Sequence, residues 1–264
     1  MKLVKHYPIV SFFVLAYLIS WTFWLPFIFS STSIFWLLGG FGPLIAAVLV
    51  VFNNEGKSQA KQFIKGIFRL KVALGWYFFA LILPIIIYYF AYQMYLFRGG
   101  TVEDFVTPSI FFYPIALIFA TLFGGGQEEV GWRGFALPRL QSKYSPFTSS
   151  VILGVMWAFW HIPLFYASAT YQANFPFGWY LLNTIFLSII FTWFFNSTGG
   201  SIFIAMLLHG AVNAPSGWVP LELMSSYSYM TLSTFFVSVI LIIVTKNKPL
   251  SGTNNRNLGY DKLK

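Results

Sequence analysis

The sequence predicts an all-α protein, a polytopic membrane helix bundle of about eight transmembrane helices with both termini in the cytoplasm. Three observations carry this. Of 264 residues, 58% are hydrophobic and only 9% are charged, whereas a soluble domain carries about 25% charged residues. The apolar residues gather in runs of about 20, the length a helix needs to cross lipid. The basic residues lie between those runs, and nearly all on alternate sides. The formal charge of +9 therefore reports topology and not a nucleic-acid footprint, and no nucleic acid is expected as a partner. Membrane lipids are the expected surroundings. The chain has no cysteine, which excludes a disulfide framework and thiolate chemistry.

The expected spans are 8–30, 34–52, 73–97, 108–141, 146–168, 177–196, 199–217 and 226–245. The first follows Lys2 and Lys5 and lacks a small-residue cleavage site, so it reads as a transmembrane helix and not a removed signal peptide. The second contains Gly39-Gly-Phe-Gly-Pro43. The loop after it, 55–71, interleaves Glu55, Lys57, Lys61 and Lys65 with Phe63, Ile64, Ile67 and Phe68. Two readings fit that loop: a basic amphipathic helix on the inner leaflet, or an ordinary solvated helix. The fourth span is apolar to Phe123 and then turns glycine-rich and charged. The seventh is short and holds His209. No repeat divides the chain, so residues 1–245 form one membrane domain, followed by a polar cytoplasmic tail at 246–264.

Loop charges set the orientation. With eight spans, 14 of the 16 basic residues fall on one side. Arg98 lies on the other side with Glu103, Asp104 and Glu222, and Arg133 lies within a span. The positive-inside rule then puts both termini in the cytoplasm. An odd number of spans breaks this agreement.

Few ionisable residues lie at depth: Glu128, Glu129, Arg133, His161 and His209, joined by Asn213. A carboxylate in the bilayer centre costs roughly 2.5–3.5 kcal/mol on the insertion scale, so an intramembrane acid is a functional-site hypothesis by default. Counted from the span ends at 1.5 Å per residue, Glu128, His161 and Asn213 sit about 20 Å deep and His209 about 15 Å. Three helices thus bring polar groups to one layer. Glu129 and Arg133 are spaced i,i+4 and can pair. Glu128 lies about 100° round the helix, with no partner in its own segment, which suits a general base. His209 and Asn213, also i,i+4, can donate hydrogen bonds to an oxyanion. Trp157, four residues before His161, covers the same face and can close the site to water or lipid. Taken singly, each has a plainer reading as helix-packing glue or a structural ion pair; together, in one layer, they point to chemistry.

These residues match a family. The chain resembles the CPBP family of intramembrane endopeptidases, the CAAX protease and bacteriocin-processing (Abi) proteins, to which the eukaryotic Ras-converting enzyme belongs. Glu128-Glu129-Val-Gly-Trp-Arg133 stands for Glu-Glu-x-x-x-Arg. Trp157-Ala-Phe-Trp-His161 stands for Phe-x-x-x-His, with tryptophan in place of the usual phenylalanine. His209-Gly-Ala-Val-Asn213 stands for His-x-x-x-Asn. Gly39–Pro43 resembles the family's glycine-proline signature, and the likeness covers about residues 35–216. It implies an intramembrane endopeptidase acting on a membrane-associated or CAAX-like peptide or protein, in a bacterial plasma membrane. By the resemblance Glu128 activates water, His161 holds it, and His209 with Asn213 stabilises the oxyanion, while Glu129, Arg133 and Trp157 support them.

The family is often classed as metalloprotease, so zinc is a possible cofactor. Glu128, His161 and His209 are then the candidate ligands, a His₂Glu set with one open position. That set consumes the base and one oxyanion donor, so glutamate-activated water without metal is the favoured reading. Two other functions compete. A non-catalytic immunity or scaffold protein keeps the fold without needing Glu128. A proton-coupled transporter uses the acid and histidines as a relay, but spans one to four do not mirror five to eight.

Overall fold

The computed structural model describes residues 2–101, 107–220, 222–223 and 226–244, and all regular structure among them is helical. Glu103, Asp104 and the tail 246–264 lie outside the described residues. The main helices are α1 (Pro8–Ser30), α2 (Ser33–Gly39), α3 (Gly42–Glu55), α4 (Lys57–Ile67), α5 (Leu74–Phe97) and α6 (Tyr113–Leu122), then α7 (Pro146–Trp160), α8 (Phe177–Ser197), α9 (Ile202–Asn213) and α10 (Tyr227–Val244). Their starts follow from local chemistry. Ser145 caps α7 by accepting the Thr148 N–H at 3.1 Å, with Pro146 next, where its missing N–H costs nothing. Ser201 caps α9 through the Ile204 N–H at 3.2 Å.

Among the described residues, seven helical segments are long and apolar enough to cross a membrane: Pro8–Ser30, Ser33–Glu55, Leu74–Phe97, Ile110–Gln141, Pro146–Tyr166, Phe177–Ser197 and Tyr227–Val244. The protein is a multi-pass integral membrane protein. The expected span at 199–217 differs from the rest. Its α-helical part, α9, has 12 residues, about 18 Å, against a hydrocarbon core of about 30 Å. Pro215, which lacks an N–H, lies just beyond, and the chain continues as a 3₁₀ turn over Ala214–Trp218.

The expected fourth span is broken rather than continuous. After α6 the chain turns at Gly125 and resumes as a 3₁₀ turn (Gly126–Glu128), one α turn (Glu129–Gly131), a π turn (Trp132–Ala136) and a last α segment (Leu137–Gln141). Every residue from Gly125 to Leu140 is buried. This is the central element of the bundle, so its charges are surrounded by protein and not by lipid. Helices α3 and α9 pack against it, α7 packs on α8, and α8 packs on α10. Gly131 makes the α3 contact possible: a Cβ there would stand 2.5 Å from the Pro43 carbonyl oxygen. Pi turns are uncommon and gather at functional sites; this one carries Trp132 and Arg133.

Candidate active site

Glu129 and Arg133 are both wholly buried, at 0% exposure. One Arg133 nitrogen, Nη1, lies 3.1 Å from Glu129 Oε1 and 3.0 Å from Oε2. The guanidinium also stacks over Phe191 at 4.6 Å and Trp157 at 4.9 Å, so aromatic faces take the place of water around the cation. Glu129 has a second partner. The Nδ1–H of His209 donates to its Oε1 at 2.8 Å, so the buried pair reaches across to α9 and fixes the imidazole.

Glu128 is held differently. Its Oε2 accepts the indole N–H of Trp157 at 2.8 Å and that of Trp132 at 3.3 Å. The expectation that Glu128 has no partner in its own segment does not hold. Trp132, four residues on, is a neutral donor on the same helical face, and α7 brings the second. With both indoles on one oxygen, Oε1 is left to the cavity that Glu128 lines.

His161 ends α7, where the helix passes into the 3₁₀ turn Ile162–Tyr166. Its Nδ1 lies 2.9 Å from the Trp157 carbonyl oxygen. A carbonyl only accepts, so Nδ1 carries a proton, and in the neutral ring Nε2 then offers a lone pair. Trp24 of α1 stacks on the ring at 5.9 Å. The Trp157 ring meets His209 edge-on at 5.2 Å and His161 at 6.1 Å, so one indole touches Glu128, both histidines and the buried arginine.

Asn213 donates through Nδ2 to the Gly124 carbonyl at 2.8 Å. Gly125 sits at φ +127°, a backbone state that L side chains rarely adopt. A Cβ on it would stand 2.4 Å from His209 Nε2 and 2.6 Å from Asn213 Nδ2. The two nitrogens therefore converge on one point beside the glycine. Gln127 locks this turn, accepting the Gly125 N–H at 2.9 Å and donating to the Gly40 carbonyl at 3.3 Å. The Gly39–Pro43 signature thus serves the site through Gly40 and Pro43.

Glu128, Trp157, His161, His209 and Asn213 all line one cavity of about 600 Å³. Its far wall is aromatic, with Tyr88, Tyr180 and Tyr227. These tyrosines and Gln127 had no motif to flag them in sequence, whereas Trp132 stands inside the first motif.

The proposed His₂Glu ligand set is not formed. Among the described residues, no three His, Cys, Asp or Glu side chains converge as a metal site. Glu128 Oε2 is occupied by two indole donors, and Glu129 is committed to Arg133 and His209. Glu128, His161 and His209 share a cavity but do not fit a common zinc ion.

With this geometry in hand, comparison with known proteins is direct. A model of the type II CAAX prenyl endopeptidase Rce1-like family matches residues 110–215, the stretch that holds all three motifs. The chain is 30% identical over 222 residues to the CAAX prenyl protease 2 of Methanococcus maripaludis, covering 77% of this chain and 80% of that protein. The chain belongs to the Rce1-like CAAX endopeptidase family. It is therefore an intramembrane protease, with a membrane environment and a peptide substrate. A more distant relative is lysostaphin resistance protein A of Staphylococcus haemolyticus, 24% identical over 215 residues, 77% of this chain and 55% of that one.

Proposed function

We propose that this Rce1-like protein hydrolyses a peptide bond of a membrane-associated substrate with water activated by Glu128 and without a metal. The observation that carries the reading is the two-indole anchorage of Glu128 Oε2 beside a closed set of polar groups on one cavity wall. Water seated between Glu128 Oε1 and His161 Nε2 donates a hydrogen bond to each. Its lone pair is then free to attack the scissile carbonyl. As the C–O bond forms, one water proton passes to Oε1 and the carbonyl π electrons move to oxygen. That oxyanion meets the second amide hydrogen of Asn213 and Nε2–H of His209. With Nδ1–H on Glu129, a ring that also donates through Nε2 is the imidazolium form. Collapse breaks the C–N bond, and the departing nitrogen takes the proton back from Glu128.

The substrate proposed is a CAAX-like peptide with a prenylated cysteine. The name of the Methanococcus maripaludis relative supports this, and the apolar, aromatic cavity suits a lipidated residue. The topology proposed keeps both termini cytoplasmic. It follows the charge distribution, with α9 and its 3₁₀ extension counted as a short eighth passage. A second reading, immunity or scaffolding without hydrolysis, is supported by the lysostaphin resistance relative. The test is cleavage of matched prenylated and unprenylated peptides by purified protein in vesicles. Cleavage of the prenylated one alone supports the proposal, equal cleavage of both removes the prenyl requirement, and cleavage of neither favours the second reading.

A further inference from the structure

The lysine-bearing loop between α3 and α5 has no part in the chemistry above, yet its helix is sorted into three faces. Ala60, Phe63 and Ile67 of α4 are buried. Phe63 reaches the site-bearing segment: a Cβ on Gly134 would lie 3.6 Å from its ring and 2.7 Å from Ile202 of α9. Just beyond α4, Arg69 Nη1 donates to the Gly199 carbonyl at 2.9 Å, and Ser201 Oγ donates to the Arg69 carbonyl at 3.3 Å. These contacts fix how α4 is rotated.

The exposed residues then divide. At 3.6 residues per turn, Lys57, Lys61, Ile64 and Lys65 share one sector, which Phe68 extends past the helix end. Ser58, Gln59, Gln62 and Gly66 occupy the next sector, and all are exposed. A helix turned to water has no reason to separate lysines from its neutral polar residues, or to set exposed Ile64 (41%) and Phe68 (67%) among them. A helix lying on lipid has both reasons. Apolar side chains enter the headgroup boundary while lysines reach the phosphates. Among the described residues, no acid pairs with the lysines of this sector. Glu55 is the first acidic residue in the chain and the only one before residue 103, and it is taken by Arg139 at 2.8 Å.

We propose that the Lys57–Lys61–Ile64–Lys65–Phe68 face of α4 is a docking surface for the anionic phospholipid headgroups of the leaflet beside it. The proposal holds whether or not the protein hydrolyses peptides. The full chain in phosphatidylcholine vesicles, with a trace of photoreactive phosphatidylglycerol or photoreactive phosphatidylcholine, tests it. Crosslinks from the phosphatidylglycerol probe are expected to concentrate at 57–68. Each lysine near an anionic surface contributes roughly fivefold to headgroup affinity. The triple variant Lys57→Gln/Lys61→Gln/Lys65→Gln should therefore lose at least about tenfold of that crosslinking, while the triple Lys→Arg variant retains it. These side chains are exposed, so both variants should unfold at the wild-type temperature. Equal labelling by the two probes, or a Gln variant within about twofold of wild type, overturns the proposal.

Discussion

Breaking the buried pair from either end should damage the protein more than removing it whole. Glu129→Gln leaves the Arg133 guanidinium at 0% exposure without its ion-pair partner. Its Nε and Nη2 already lack hydrogen-bond partners, and Phe191 and Trp157 supply only ring faces. Truncating one member of a buried pair costs about 3–5 kcal/mol, because the other charge stays behind. Glu129→Gln and Arg133→Met should each cost that much. The double variant removes both charges and keeps similar volumes, and it should cost about 0–2 kcal/mol, so the coupling exceeds about 2 kcal/mol. Thermal unfolding of the four proteins in one detergent reads this cycle. Activity should follow a different pattern. Even the stable double variant loses the ionised carboxylate that accepts from His209 Nδ1. It should run at least about 100-fold slower, the scale of losing one oxyanion donor. Single variants that unfold within a degree or two of wild type refute the buried-charge argument. A double variant with near-normal turnover refutes the claim that Glu129 positions His209.

Other perturbations test single contacts. Trp157→Phe keeps an aromatic ring but deletes the 2.8 Å donor to Glu128. A hydrogen bond to a charged group is worth about 1.5–3 kcal/mol, and Trp132 keeps one donor in place. About a tenfold fall in kcat is expected, with KM within about threefold; an unchanged kcat contradicts the anchoring role. Gly125→Ala places a methyl between His209 Nε2 and Asn213 Nδ2 at a φ of +127°. It should abolish turnover while the protein still inserts and purifies, and a variant retaining more than about a tenth of the activity argues against donors converging there. A chelator shown to reach the cavity should leave the rate within about twofold. Loss of activity that returns only with added zinc contradicts the metal-free reading.

Much of the fold was legible because lipid imposes a coarse grammar. Runs of about 20 apolar residues and one-sided lysines mark helices without any tertiary knowledge. α9 was legible as the short span at 199–217, but only 12 of that span's residues are α-helical, since a helix shielded by protein need not cross about 30 Å of hydrocarbon. The break at Gly125 was visible only as a cluster of glycines, since the positive φ and the π turn arise from packing on α3 and α9. At the site, counting depth from span ends brought Glu128, His161, His209 and Asn213 to one level, and these four line one cavity. Motif spacing could not tell which atoms meet. The i,i+4 rule found Glu129–Arg133 but not the His209 contact, which comes from a residue 80 positions away. Trp132 stands in the first motif, but nothing in the spacing of charges marks its indole as a donor to Glu128. The zinc alternative rested on residue types alone, and among the described residues no three such side chains converge as a metal site.

The most direct test of the account is turnover by Glu128→Gln, measured on a peptide that the wild-type protein cleaves in the same vesicles. The amide can still accept from Trp157 and Trp132, so assembly and unfolding temperature should be near wild type. It cannot take a proton from water, so cleavage should fall by at least about 100-fold, the lower end of general-base contributions. Cleavage within about tenfold of wild type would contradict Glu128 as the base and with it the mechanism.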